Sequence, residues 1–106
     1  MATHHFTPDH YYTALGTYEP VLRLADGDTV ITTTVDSGGA DHSGLQVTTP
    51  WNPQTGPFSI EGAEPGDTLV VHLDRLWPNR RQGYRAIPLA SSRKARCSLF
   101  VLIKMR

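Results

Sequence analysis

Apolar and polar residues alternate here in short stretches with a period of two, and no stretch keeps a helical period, so the chain predicts strands joined by turns. After Pro57 the chain is extended, with Phe58 and Ile60 on one face and Ser59 and Glu61 on the other. Glu64-Pro65-Gly66-Asp67 then reverses it: Pro65 presets φ at the first central turn position, and Gly66 accepts the positive φ that a type II turn needs at the second. Alternation resumes with Leu69, Val71 and Leu73 against Val70, His72 and Asp74. The whole reads as a β-hairpin-like unit.

A second unit precedes it. Val21 to Leu24 forms a strand, Ala25-Asp26-Gly27-Asp28 a turn, and the β-branched run Thr29 to Val35 another strand. Gly27-Asp28-Thr29-Val30-Ile31 is echoed by Gly66-Asp67-Thr68-Leu69-Val70, and the strands that follow end at Asp36 and Asp74. Two similar strand-turn-strand units that pack together are expected. The fold class is mainly β, a small sheet or a sandwich-like or barrel-like domain. Pro50 and Trp51, on the connection between the units, are expected to cover an edge of the core.

Composition sets limits on this picture. A chain of 106 residues makes one domain with one modest core, burying ~65% of its unfolded surface. Nine glycines and eight prolines agree with frequent turns. The single cysteine, Cys97, excludes an internal disulfide framework, and no leader pattern opens the chain, which gives the expectation of a cytoplasmic protein. The longest apolar run, Leu99 to Ile103, is far below the ~20 residues that cross a bilayer as a helix, so no membrane partner is expected.

Charge is balanced overall but not along the chain. Residues 1–74 hold all ten acids and a single base, Arg23, while residues 75–106 hold nine bases and no acid. Arg75, Arg80, Arg81, Arg85, Arg93, Lys94 and Arg96, with Trp77 and Tyr84 interleaved, form the pattern of a nucleic-acid surface, which is the weakest of the functional readings.

The candidate chemistry lies in Asp36-Ser37-Gly38-Gly39-Ala40-Asp41-His42-Ser43-Gly44, a polar loop leaving a strand, where a sheet can present reactive groups. Glycines beside Asp36 let a ligand approach the backbone. The competing reading is an ordinary hydrophilic loop, since Asp, Gly and Ser are turn formers. His4, His5 and His10 fall in residues 1–12, which read otherwise as an exposed arm. His72 lies within a strand and reads as a surface or hydrogen-bonded residue. Ser37 lacks a nucleophile-elbow sequence and Cys97 lacks an activating neighbourhood, so neither is expected to be a nucleophile.

The segment Asn52-Pro53-Gln54-Thr55-Gly56-Pro57-Phe58-Ser59-Ile60-Glu61-Gly62-Ala63-Glu64-Pro65-Gly66-Asp67 resembles the signature of the acetamidase/formamidase family. Glu19-Pro20-Val21-Leu22-Arg23-Leu24, Val35-Asp36-Ser37-Gly38-Gly39 and Arg75-Leu76-Trp77-Pro78-Asn79-Arg80 are similar to other family segments, in the family's order. The resemblance spans roughly residues 10–90. It implies an N-terminal β lobe and hydrolysis of a carbon–nitrogen bond in a short linear amide, formamide or acetamide, to the carboxylate and ammonia. That reaction needs an activated water, a stabilised oxyanion and an acid for the nitrogen. A divalent metal, zinc or calcium, would supply the first two. The implied ligands are His10, Asp36, Asp41 and His42. Asp36 and Glu61 are the catalytic carboxylates, since Glu64 is accounted for by its turn.

Residues 91–106 do not resemble the family. Their abrupt Arg/Ser/Cys-rich composition is what a shifted reading frame or a truncated gene produces; the other reading is a true final strand over Leu99 to Ile103, apolar because both faces are covered. A lobe deprived of its remainder exposes strand edges and apolar surface, so homo-oligomers are expected. The alternative to an amidase is a non-catalytic β-domain that binds a partner chain or a metal.

Overall fold

The computed structural model describes residues 1–81 together with the backbone of 99–105. Within these residues the chain is all strand and turn, with no helix: β1 (Thr3–Phe6), β2 (Leu22–Leu24), β3 (Thr29–Thr33), β4 (Phe58–Ile60), β5 (Val71–Pro78) and β6 (Leu99–Met105). The mainly β fold is therefore observed. Tyr84, Arg85, Arg93, Lys94, Arg96 and Cys97 lie outside the described residues.

Two sheets form, and neither contains the hairpins that the turns suggested. A four-stranded sheet has the order β1-β3-β6-β5, and β2 and β4 form a separate two-stranded sheet. β1 runs parallel to β3, with His4 opposite Val30 and Phe6 opposite Thr32. β2 runs parallel to β4, with Leu24 opposite Ile60. Both turns are present as expected: the Asp28 N–H donates to the Ala25 carbonyl and the Asp67 N–H to that of Glu64, with Gly27 and Gly66 at φ 85 and 97°. They carry the chain from one sheet to the other or into an extended connection, rather than folding a strand back on its neighbour. Turn chemistry fixes a reversal; the partner is chosen by which apolar faces meet.

β3 owes its central place to its composition. Its β-branched run packs well on a pleated surface, and Val30 and Thr32 are buried while Thr29, Ile31 and Thr33 are half-buried. Val30 and Leu24 form the fully buried centre, with Phe6, Leu22, Phe58 and Ile60 packed around them. The rings of Phe6 and Phe58 meet edge to face at 5.5 Å. Burial on this scale contributes about 1.5–3 kcal/mol for each of Leu24 and Val30.

The N-terminal segment is not a free arm. Asp28 fixes it: one carboxylate oxygen accepts the Ala2 N–H at 2.8 Å, the other accepts the Ala25 N–H at 2.9 Å and stands 2.8 Å from the His4 ring. The Ala2 and Ala25 N–H groups, followed by His4, hold the Asp28 carboxyl well below the usual carboxylate range.

β5 continues past Asp74, where a strand end was expected, through Pro78. Its register against β6 slips by one residue, with Leu73 opposite Ile103 and Arg75 opposite Leu102. Asp74 is the extra residue of a β-bulge. The slip inverts the alternation, so Val71, Leu73, Leu76 and Pro78 share one face and His72, Arg75 and Trp77 the other. β6 itself occupies the inside of the sheet, antiparallel to both β3 and β5. No helix among the described residues is long and apolar enough to cross a membrane. Trp51 does not cover a core edge as expected, for it is 65% exposed at a positive φ of 81°, and Pro50 is exposed too.

Candidate functional site

The loop after β3 is two copies of one small device. Asp36 Oδ1 accepts the N–H groups of Gly38 and Ala40, each at 2.9 Å. Asp41 Oδ1 accepts those of Ser43 and Leu45, at 2.9 and 3.2 Å. In each case the backbone closes in the same way: the Asp N–H donates four residues ahead, to Ala40 or Leu45, and the Asp carbonyl accepts from Gly39 or Gly44. Each loop therefore reads Asp-x-x-Gly-x, with the glycine at a positive φ of 85 or 82°. Gly39 is fixed for a second reason, because a Cβ there would lie 2.4 Å from the Thr48 carbonyl oxygen.

This arrangement commits Asp36 to structure. Beyond its two backbone donors, its Oδ2 pairs with the Arg80 guanidinium, and its side chain is 4% exposed. Arg80 also donates through Nη1 to the Asp41 carbonyl at 2.8 Å, so one side chain ties both loops to the chain beyond β5. Its Nε is buried with no partner among the described residues. Three donors on a buried carboxylate leave little capacity for a metal or for accepting a proton from water. The Ser43 hydroxyl, donating to Asp41 Oδ1 at 2.6 Å, is foremost among the groups that lower the Asp41 carboxyl below its ordinary value.

The other candidates are His42, next to Asp41 in the second loop, and His10 and Glu61 on separate segments. His10 lies 3.0 Å from Asp9, both well exposed. The Tyr11 hydroxyl beside it donates to the Pro8 carbonyl at 3.5 Å and is pushed up by burial and then by the charges of Asp41 and Asp9. His42 is exposed. Glu61 is exposed and lines a different feature, a groove of about 480 Å³ walled by Asp26, Glu64, Asp67 and Leu69. His72, by contrast, is hydrogen-bonded to Asp74 at 2.7 Å on the surface of β5, in agreement with its expected role. Asp36 and Asp41 are thus brought together by Arg80, which bonds the Asp36 carboxylate and the Asp41 carbonyl. Among the described residues no three His, Cys, Asp or Glu side chains stand close enough to hold one ion.

The segment leading into β4 meets this loop directly. The N–H groups of Trp51 and Asn52 both donate to the Ser37 carbonyl, at 3.0 and 3.1 Å. The Thr55 hydroxyl donates to Thr33 at the end of β3. Gln54 exchanges backbone hydrogen bonds with Tyr12. The chain passes on into β4 through a cis Gly56–Pro57 bond. In the sequence Arg80 stands out only as one of the bases of the nucleic-acid pattern and as the end of the segment Arg75–Arg80. No local pattern announces its pairing with Asp36, whereas the repeated Asp-x-x-Gly spacing does announce the two capped loops. No family model matches the chain, and no curated protein or solved structure matches it.

Proposed function

We propose that the chain is the β lobe of an amidase resembling the acetamidase/formamidase family, serving hydrolysis of the carbon–nitrogen bond in short linear amides. The observation that supports this reading is the junction of two segments that resemble the family: Trp51 and Asn52, at the mouth of one, hydrogen-bond to Ser37 in the other. In the reaction, water oxygen bonds to the amide carbon, the carbon–nitrogen bond breaks, and the nitrogen leaves as ammonia after taking a proton. Asp36 and Arg80 act as positioning residues that hold the glycine loop. Glu61, exposed on its groove, is the carboxylate free to exchange a proton with a ligand. The proposed setting is the cytoplasm, consistent with a lone cysteine.

Ammonia release from formamide and acetamide by the purified chain tests this, before and after chelation and after adding zinc or calcium. Ammonia production that falls in Glu61→Gln supports the reading, and loss on chelation would add a metal held in a geometry other than the one described. Failure to release ammonia with any metal overturns activity in this chain. The second reading, a non-catalytic β-domain that binds a partner chain, then stands; it is favoured by the full engagement of Asp36.

A further inference from the structure

Among the described residues β5 has a strand neighbour on one side only, and Val71, Leu73 and Leu76 on its apolar face are 43, 54 and 47% exposed. An eight-residue edge strand with such a face is a template for another strand. We propose that β5 pairs antiparallel with β5 of a second copy of this chain, about a two-fold axis between Asp74 and Arg75, giving a closed dimer with one continuous eight-stranded sheet.

The bulge selects this alignment. Residues opposite one another in an antiparallel pair point to the same face, and a two-fold axis normal to the sheet keeps each face on its own side. In a regular strand those conditions demand pairs an even number of residues apart. The slip at Asp74 changes the parity, since Leu73 and Leu76 now share a face, as do His72 and Trp77. Placing Leu73 opposite Leu76 of the second copy therefore keeps every facing consistent, with His72 opposite Trp77 and Val71 opposite Pro78. The same alignment sets Asp74 opposite Arg75 twice, once on each side of the axis. A strand whose only carboxylate and only guanidinium are adjacent at its centre sets the two opposite each other in this register alone. The two bulges also lie opposite each other, so neither strand carries a residue in excess. A partner of a different sequence would gain nothing from this symmetry, which is why a second copy is the occupant that the strand fits.

Sedimentation of the full chain across a concentration series tests the proposal. The chain should show a monomer–dimer equilibrium. Asp74→Arg and Arg75→Asp should each weaken the dimer by about 10-fold or more, since two attractive pairs become two repulsive ones. An equimolar mixture of the two variants should form a heterodimer of about the original strength, and this recovery also demonstrates that both variants are folded. A wild-type chain that stays monomeric overturns the proposal. So does an assembly that both variants leave unchanged, and so does a mixture that fails to recover.

Discussion

Val30 and Leu73 sit opposite the same residue of β6, Ile103, from its two sides, and point to the same face of one sheet. Val30 is fully buried and Leu73 is 54% exposed. Hydropathy does not separate them. What does is the second layer: β2 and β4 lay Leu22, Leu24, Phe58 and Ile60 over the half of the sheet built from β1 and β3, and nothing among the described residues does this for β5. A period-two pattern specifies which side of a strand is apolar, but whether that side becomes core depends on a covering element placed elsewhere in the chain.

The contrast can be broken by truncating one residue on each side. Leu24→Ala should cost about 3 kcal/mol, because it removes a fully buried side chain from the covered half and leaves a cavity. The shift in urea midpoint measures it. Arg80→Ala should come next, at about 2–3 kcal/mol by the same measurement, since it strips a buried carboxylate of its charged partner and frees the two capped loops from the chain beyond β5. Backbone donors to Asp36 remain, which is why the loss does not reach the core value.

Acid should act on the covered half through Asp28. Its folded carboxyl lies below the unfolded value of about 3.9, so its contribution is intact above that value and is withdrawn as pH falls beneath it toward the folded value, where the unfolded chain takes up the proton first. Stability followed from pH 5 down to pH 2 should fall less steeply in Asp28→Asn than in the parent. An unchanged slope would remove Asp28 from the clasp that docks β1. The smallest effect belongs to Leu73→Ala, within about 0.5 kcal/mol for the monomer, measured at a concentration too low for association. If Leu73 proved as costly to truncate as Leu24, β5 would have a cover and the contrast would vanish.

Much of the local geometry could be read from the sequence. Gly27 and Gly66 close the turns their neighbours suggested, Pro57 opens an extended segment, and His72 faces away from Val71 and Leu73. Pairing could not be read, because β2 and β4 are three residues long and meet across an interval in which nothing marks one as the partner of the other. The bulge at Asp74 was equally hidden: it preserves an apolar face through Leu-Asp-Arg-Leu, where strict alternation would have ended the strand. At the candidate site, the glycines near Asp36 suggested access for a ligand. Their spacing encodes capped turns instead, and the carboxylate that looked available is held by a guanidinium that only tertiary folding brings near.

The position of β6 has a bearing on how the protein is made. Residues 99–105 lie between β3 and β5, so Thr29 must find Lys104 across most of the chain before the four-stranded sheet exists. The entropy of closing so long a loop is spent before any ladder bond returns it, which places folding in the millisecond-to-second range typical of β topologies. During synthesis at ~5–20 residues per second, β3 therefore waits for seconds with one edge open. In the interval between translating Thr33 and translating Leu99, that edge is a template on which a strand of another chain can pair.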